Sequence, residues 1–371
     1  MVSISPKPGI SDIIPYVGGK SNLSSKRKII KLSSNEGALG PNPLAIKAFD
    51  SCATSLHRYP DGAAEDLRNA IGERYNLDPK KIICGAGSDE LLTLLCRSFA
   101  GTGDEVLYSE YGFAMYPIMA LSVGAKPVKA PEKNLSANVE NLLNAVTSRT
   151  KIVFLANPNN PTGTYLSSSK MSHLREKLRD DILLVIDAAY AEFVHEGDYE
   201  PGLELVNEGE NTVMTRTFSK IHALGGLRLG WAYCPQHIVD ALNRIRSPFN
   251  VSTPALEAGI ASFSDEEFLT RSQNHNDFWR EWTKNELMNL GLSVGPSVCN
   301  FLLVCFNEKK NHGASSADSF LESKGILVRN LTNYNLPNCL RISIGLEEEM
   351  KLLIDSLSLF LSQDTPVFGK D

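Results

Sequence analysis

Five consecutive apolar residues, Ile182-Leu183-Leu184-Val185-Ile186, run directly into an aspartate, Asp187. A strand with one wet face alternates apolar and polar side chains. A run without alternation belongs to a strand covered on both faces, the condition found inside a parallel sheet flanked by helices. Stretches at 81–84, 105–108, 151–155, 212–217 and 227–233 read as further strands, with helical periodicity between several of them. Ser88–Phe99 reads as a helix, with Ser88 as its N-cap and Asp89 and Glu90 in its first turn. Strands alternating with helices imply an α/β fold whose mostly parallel sheet is wrapped by helices.

The pattern changes near residue 255. A helix over 265–290 stops at Gly291, strands follow at 301–306, 326–329 and 340–344, and a last helix covers 347–361. These describe a smaller α+β domain. The expected division is an extended arm over 1–43, rich in Pro, Gly, Ser and Lys, then a large domain over 44–255 and a small one over 256–371. Acidic residues outnumber basic ones, 43 to 37, which argues against a nucleic-acid surface. The basic run Lys26-Arg27-Lys28 is short enough to be a solvated face. No apolar stretch approaches the roughly 18 residues of a membrane span, and the first twenty residues lack the apolar core of a leader, so we expect a cytoplasmic protein without membrane contact. The seven cysteines are odd in number, show no C-x-x-C spacing and mostly sit in apolar stretches, which favours buried free thiols over disulfides. No H-x-x-x-H or H-E-x-x-H spacing occurs, and no metal is expected.

Ligands of open α/β sheets sit beyond the carboxyl ends of the strands. Four chemically loaded clusters fall there. Gly85-Ala86-Gly87-Ser88-Asp89-Glu90 joins a strand to a helix and can hold an anion on free amides, although an ordinary capped turn has the same composition. Glu90 stands where a dinucleotide fingerprint requires glycine, which disfavours a nicotinamide cofactor. Asn157-Pro158-Asn159-Asn160-Pro161-Thr162-Gly163 is a stiff loop able to fix an asparagine amide. Asp187, with Tyr190 three residues on, is a carboxylate at the end of a buried strand and needs a partner. Thr217-Phe218-Ser219-Lys220 places a lysine among hydroxyls, with Arg228 eight residues further. Each cluster alone has a purely structural explanation. Together they supply what pyridoxal 5′-phosphate (PLP) requires: an amine for its aldehyde, an acid for its pyridine nitrogen, donors for its phenolic oxygen and a cradle for its phosphate.

In order and spacing these motifs resemble the fold-type I PLP-dependent aminotransferases. The likeness is greatest to the histidinol-phosphate branch, over some 330 residues. It is carried also by Ile14-Pro15-Tyr16 with Gly19-Lys20, Lys31-Leu32-Ser33-Ser34-Asn35-Glu36, Tyr59-Pro60-Asp61-Gly62, and Gly325-Ile326-Leu327-Val328-Arg329 leading to Leu336-Pro337-Asn338-Cys339-Leu340-Arg341. The resemblance implies that Lys220 carries PLP and moves a substrate proton, and that Asp187 keeps the pyridine nitrogen protonated. It implies that Asn160 and Tyr190 bond the phenolic oxygen and that Phe113 stacks on the ring. The phosphate falls to Ser88, Asp89, Thr217, Ser219, Arg228 and, from a second copy of the chain, Tyr59, which makes the active unit a homodimer. Arg341 matches the ligand of the donor's carboxylate, with Arg329, Tyr16 and Asn35 completing the substrate site. The implied reaction is a reversible ping-pong transamination between histidinol phosphate and 2-oxoglutarate in histidine biosynthesis. An aromatic or prephenate aminotransferase of the same lineage is the alternative, and a threonine-phosphate decarboxylase a more distant one. The chain departs from the family at Gly37-Ala38, at Glu110-Tyr111-Gly112 and at Ile221-His222. His222 reads as a neighbour of the site rather than a proton shuttle.

Overall fold

A computed structural model describes residues 4–21, 29–307 and 312–362. The basic run at 26–28, part of the expected arm and the end of the expected small domain lie outside the described residues. The first strand, β1 (Ile30–Lys31), is followed by β2 (Ile82–Gly85), β3 (Glu105–Ser109), β4 (Lys126–Ala130), β5 (Thr150–Ala156), β6 (Leu183–Asp187), β7 (Thr212–Thr217) and β8 (Gly230–Tyr233). Among the described residues β2 to β8 form one sheet in the order β2-β8-β7-β6-β5-β3-β4. Strand β8 runs antiparallel to β2 and β7, and every other neighbouring pair is parallel.

Strand β6 lies at the centre and is buried at every position. Val185 packs on one face with Leu91, Leu95, Tyr116 and Phe154. Leu184 and Ile186 pack on the other with Leu107, Leu155 and Leu174. Successive side chains of a strand point to opposite faces, so both neighbours of a buried residue must themselves be apolar when helices cover both sides. That is the physical content of the unbroken run. Strand β4, by contrast, is a sheet edge with Lys126 and Lys129 exposed. It carries no apolar run, and nothing in the sequence announced it.

Three local expectations are corrected. The residue capping helix Ser88–Phe99 is Gly87, at φ +82°, and no side chain caps the helix; Ser88 is its first residue. The strand expected over 227–233 starts at Gly230, because Gly225–Leu227 form a tight turn and Arg228 adopts φ +55°. The strand expected over 326–329 is two strands, which belong to different sheets.

Those sheets lie beyond the long helix Glu266–Asn289, which Asp265 caps through its side chain. Strands β9 (Ser293–Val294), β10 (Phe301–Cys305), β11 (Ile326–Leu327), β12 (Arg329–Asn330) and β13 (Cys339–Ser343) complete the set. Strands β12, β13, β10 and β9 form an antiparallel sheet in that order, whereas β11 pairs in parallel with β1. The extended arm therefore ends earlier than expected. Residues 4–21 hold a single turn at Ile10–Asp12, but Ile30 and Leu32 are apolar, and they pack with Ile326, Val328, Leu340 and Ile342.

The cysteine expectation is also corrected in part. Cys305 and Cys339 stand opposite one another on β10 and β13 and are joined by a disulfide, while Cys52, Cys84, Cys96, Cys234 and Cys299 are free and buried. Thirty-four residues separate the pair along the chain. Only the antiparallel register makes them neighbours.

One junction fixes where the carboxyl ends of the strands meet helix Ser88–Phe99. A side chain at Gly230 would fall on the backbone of Gly87 and Ser88, and one at Gly87 on the Arg228 guanidinium. We expect Gly230→Ala to cost at least about 2 kcal/mol, the scale of overpacking against backbone, and to displace the Ser88 turn. Gly226→Ala, which meets nothing within 4 Å, should stay within about 0.5 kcal/mol of the parent. Urea unfolding of the two variants checks this; equal stabilities would show that the junction yields.

Candidate active site

The carboxyl ends of β5, β6 and β7 deliver the loop at 157–163, Asp187 and Thr217 to one place. Around it Tyr16, Asn35, Ser88, Asp89, Phe113, Asn160, Asp187, Tyr190, Thr217, Ser219, Lys220, Arg228 and Arg341 line a cavity of about 500 Å³. Two expected residues are not part of it. Tyr59 is 82% exposed and stacks on Phe249, ring centroids 4.8 Å apart. Arg329 is buried beside the cavity, donates to the Val17 carbonyl at 2.7 Å and lies over the Tyr16 ring. It lines a neighbouring cavity of about 680 Å³ that shares Tyr16 and Gly18 with the first.

Asp187 is buried and accepts a hydrogen bond from the Tyr116 hydroxyl at 2.9 Å, with Thr215 at 3.5 Å. Burial pushes its carboxyl up to about 6, and the Tyr116 bond opposes that rise. Tyr116 in turn stacks on Phe154 at 4.7 Å and meets Phe113 edge-on at 5.8 Å. The Lys220 amine is drawn the other way. Burial, and then the positive charge of Arg341, pull it down to about 8, so a useful fraction is neutral and nucleophilic near physiological pH. It donates to the Ser34 carbonyl at 3.2 Å and lies 5.6 Å from the centre of the Tyr190 ring.

At the head of helix Ser88–Phe99 no side chain occupies the first amides. Arg228 stands beside it, 3.4 Å from the Asp89 carboxylate, and its left-handed backbone turns the guanidinium to that end. Thr217 and Ser219 bring their hydroxyls to 3.0 Å from each other. A helix N-terminus with a guanidinium and two hydroxyls is a cradle for a phosphate-sized anion. Arg341, on β13, donates to the Asn160 side chain and to the Ser33 carbonyl. Each of its two terminal nitrogens keeps a second N–H beyond these bonds, so the guanidinium has donor capacity left for a ligand. The cavity thus fits PLP: a free amine, a buried carboxylate with its own donor, and an anion cradle.

Several groups of the site were silent in the sequence. Tyr116 belongs to none of the motifs singled out above, and Ser33 and Ser34 act through carbonyls that any residue would supply. His222 is buried, packs on Phe218 and Phe263, and burial holds its imidazole down at about 3. It packs beside the site as a buried group whose environment disfavours the charged form.

Residues 27–357 match the family described as aminotransferase class I and II, and the chain belongs to that family. Within it, the chain is 58% identical over 361 residues to the histidinol-phosphate aminotransferase of Paramagnetospirillum magneticum, covering 97% of this chain and 99% of that one. The enzyme of the same name from Rhodospirillum rubrum is 54% identical over 357 residues, 96% of this chain and 97% of that one. The crystal structure of the Sinorhizobium meliloti histidinol-phosphate aminotransferase in complex with pyridoxal-5′-phosphate superposes with a TM-score of 0.85 at 28% identity, over 90% of this chain and 92% of that one.

The raised carboxyl of Asp187 has a consequence for the cofactor-free protein. Its folded value lies above the unfolded one, so the native state holds the proton more tightly, and stability falls as pH rises from about 4 to about 6. Asp187→Asn removes that cost. We expect the cofactor-free variant to be more stable than the parent above pH 7 by about 1–3 kcal/mol, with the gap closing near pH 4. Urea unfolding at pH 4 and pH 8 measures it; a variant less stable at pH 8 would show that its partners already stabilise the carboxylate.

Proposed function

We propose that this chain is a PLP-dependent transaminase that moves an amino group reversibly between histidinol phosphate and 2-oxoglutarate, giving imidazole-acetol phosphate and glutamate in histidine biosynthesis. The observation that carries the reading is the meeting of a depressed lysine, a buried aspartate and an uncapped, arginine-flanked helix end in one cavity. The name shared by relatives at more than half identity supports the substrate.

When bound, PLP supplies an aldehyde that captures amines and a ring that takes up electrons. The chain's residues do the rest. Lys220 offers its neutral amine to the cofactor, and once released it carries the proton to and from the substrate's Cα. Asp187, steadied by Tyr116, holds the ring nitrogen in its protonated form. Asn160 and Tyr190 hold the phenolic oxygen, and Phe113 covers a ring face. Ser88, Asp89, Thr217, Ser219 and Arg228 grip the cofactor's phosphate. Arg341 presents its fork to the anionic end of either substrate, because phosphate and carboxylate accept the same pair of donors. Tyr16 and Arg329 add charge and a hydroxyl for the substrate's phosphate, with Asn35 beside them.

The reading includes two copies of the chain with shared sites. Leu44, Ile46, Phe49 and Leu56 are exposed in the stretch of chain that precedes Tyr59, and Tyr59 finds no part in its own chain's cavity. A cytoplasmic setting belongs to the same reading; five buried free thiols suit it, and the Cys305–Cys339 disulfide does not. The large domain and the small one divide the work, the first holding the cofactor and the second the substrate's anion; the boundary expected at 255 falls within helix Thr253–Ser262, whose Ala255, Leu256 and Ala258 pack with Ile82, Met214 and Trp231 of the larger sheet.

A second reading, an aromatic or prephenate aminotransferase, draws on the bond between Arg329 and the Val17 carbonyl, which leaves Arg341 as the guanidinium at the substrate end. The decisive measurement is kcat/KM for histidinol phosphate, phenylalanine and tyrosine as donors, in the parent and in Arg329→Ala. We expect histidinol phosphate to be preferred and the substitution to cost it about 2–4 kcal/mol of transition-state binding, and phenylalanine much less. Equal losses would favour the aromatic reading, and release of CO₂ would point to a decarboxylase.

Mixing Tyr59→Ala with Lys220→Ala protein under subunit exchange should restore one working site per mixed dimer. No recovery, with mixed dimers demonstrated, would remove the shared site.

A further inference from the structure

Asn35 was expected at the substrate, yet it is 1% exposed and every polar group on it is engaged. Its amide N–H donates to the Ser343 hydroxyl oxygen at 2.8 Å, and the Ser343 hydroxyl donates back to its Oδ1 at 3.0 Å. Its carbonyl accepts from the Asn300 side chain at 3.1 Å, and its Nδ2 donates to the Tyr190 hydroxyl at 2.9 Å. The backbone at Asn35 sits at φ +55°, a conformation asparagine tolerates better than most residues.

Counting protons fixes the direction of this chain of bonds. Ser343 has a single hydroxyl proton, and its oxygen already receives the Asn35 N–H. That proton needs an acceptor, and the side-chain atom in front of it must therefore be the amide oxygen. The amide nitrogen then faces Tyr190. A phenol that receives a donor on its oxygen must send its own proton elsewhere, and Tyr190 lines the cavity. Burial keeps Tyr190 a phenol, far above its ordinary titration range. The charged or ionisable groups around it are Arg341, Asp187 and Cys299, with Lys220 over its ring.

We propose that Asn35 is a positioning residue: locked by Ser343, it donates to the Tyr190 hydroxyl and turns the phenol's proton into the cavity, toward an oxyanion on the bound ring. The inference rests on the reading that this cavity holds PLP. Tyr190 then donates to the phenolic oxygen rather than accepting from it. A donor on that oxygen draws off negative charge that would otherwise hold a proton on the nitrogen joined to Lys220. Asn35 and Ser343 thus lower that nitrogen's proton affinity without touching it, and Ser343 does so from outside the cavity lining.

The test is a pH titration of the visible absorbance of the cofactor-loaded enzyme. Asn35→Asp replaces the donor by an acceptor that captures the Tyr190 proton, and should raise the nitrogen's proton affinity about tenfold, one pH unit. Ser343→Ala frees the amide to turn over and should raise it about threefold. Ser343→Thr, which keeps the hydroxyl, should titrate like the parent. Because Asn35→Asp also adds charge, it is repeated in a Tyr190→Phe background, where most of its effect should vanish. Should Asn35→Asp fail to fold, the Ser343 pair carries the test. Parent-like titration of both Asn35→Asp and Ser343→Ala, with the visible band intact, would overturn the proposal and leave Asn35 structural. An undiminished Asn35→Asp effect without the Tyr190 hydroxyl would overturn it too. Absence of any visible band in the parent would overturn the cofactor reading itself, a distinct result.

Discussion

A carboxylate buried at the end of a strand covered on both faces is the constraint around which this molecule is arranged. Asp187 is costly there: burial raises its carboxyl, and a free anion would be poorly solvated. The fold supplies Tyr116 and Thr215 as donors and leaves the rest of the imbalance facing a cavity. Strand β6 can hold the group in register because Val185 and Ile186 are gripped on opposite faces by two separate clusters. The site is therefore precise where the sheet is densest. What the carboxylate lacks in the bare protein is a cation, and a protonated ring nitrogen is one.

How much of this could be read beforehand depends on whether a residue's role is written in its own neighbourhood. Strand β6 carries an unbroken apolar run, helix Ser88–Phe99 and the final helix carry helical periodicity, and all three lie within a residue or two of expectation. Asp187, Asn160 and Lys220 each lie at or just beyond the carboxyl end of a strand, and the sheet brought those ends together. Tyr116 and Ser343 escaped, because each acts on a single partner across the fold, Asp187 and Asn35, 71 and 308 residues away. The Cys305–Cys339 pair escaped for the same reason: an antiparallel register is not a sequence motif. Arg329 shows the converse. Its motif was legible, but its bond to the Val17 carbonyl belongs to the arm's path, which composition does not encode.

That path ties the three parts of the chain into one site. Lys20 pairs with Asp318 and Glu322, Ser33 donates to the Lys20 carbonyl, and β1 adds a parallel strand to β11. Arg341 reaches from β13 both to Asn160 and to the Ser33 carbonyl. A guanidinium is suited to this, because its planar fork can serve several oxygens at fixed angles. The segment at 29–36 is in effect a seam, with the larger sheet's loops on one side and the smaller sheet on the other.

Gly87, Gly230 and Arg228 meet in one corner, where the Arg228 guanidinium fills the space a side chain on Gly87 would need and the backbone of Gly87 and Ser88 fills that of a side chain on Gly230. Mutational routes that enlarge either glycine are therefore blocked at the first step: the replacement clashes before a compensating one can arrive. Positions such as Tyr16 and Arg329, which border open volume, face no such barrier. A lineage built on this architecture can wander in what it recognises while the packed corner at the head of helix Ser88–Phe99 stays frozen, so the pocket's outer wall can change where its floor cannot.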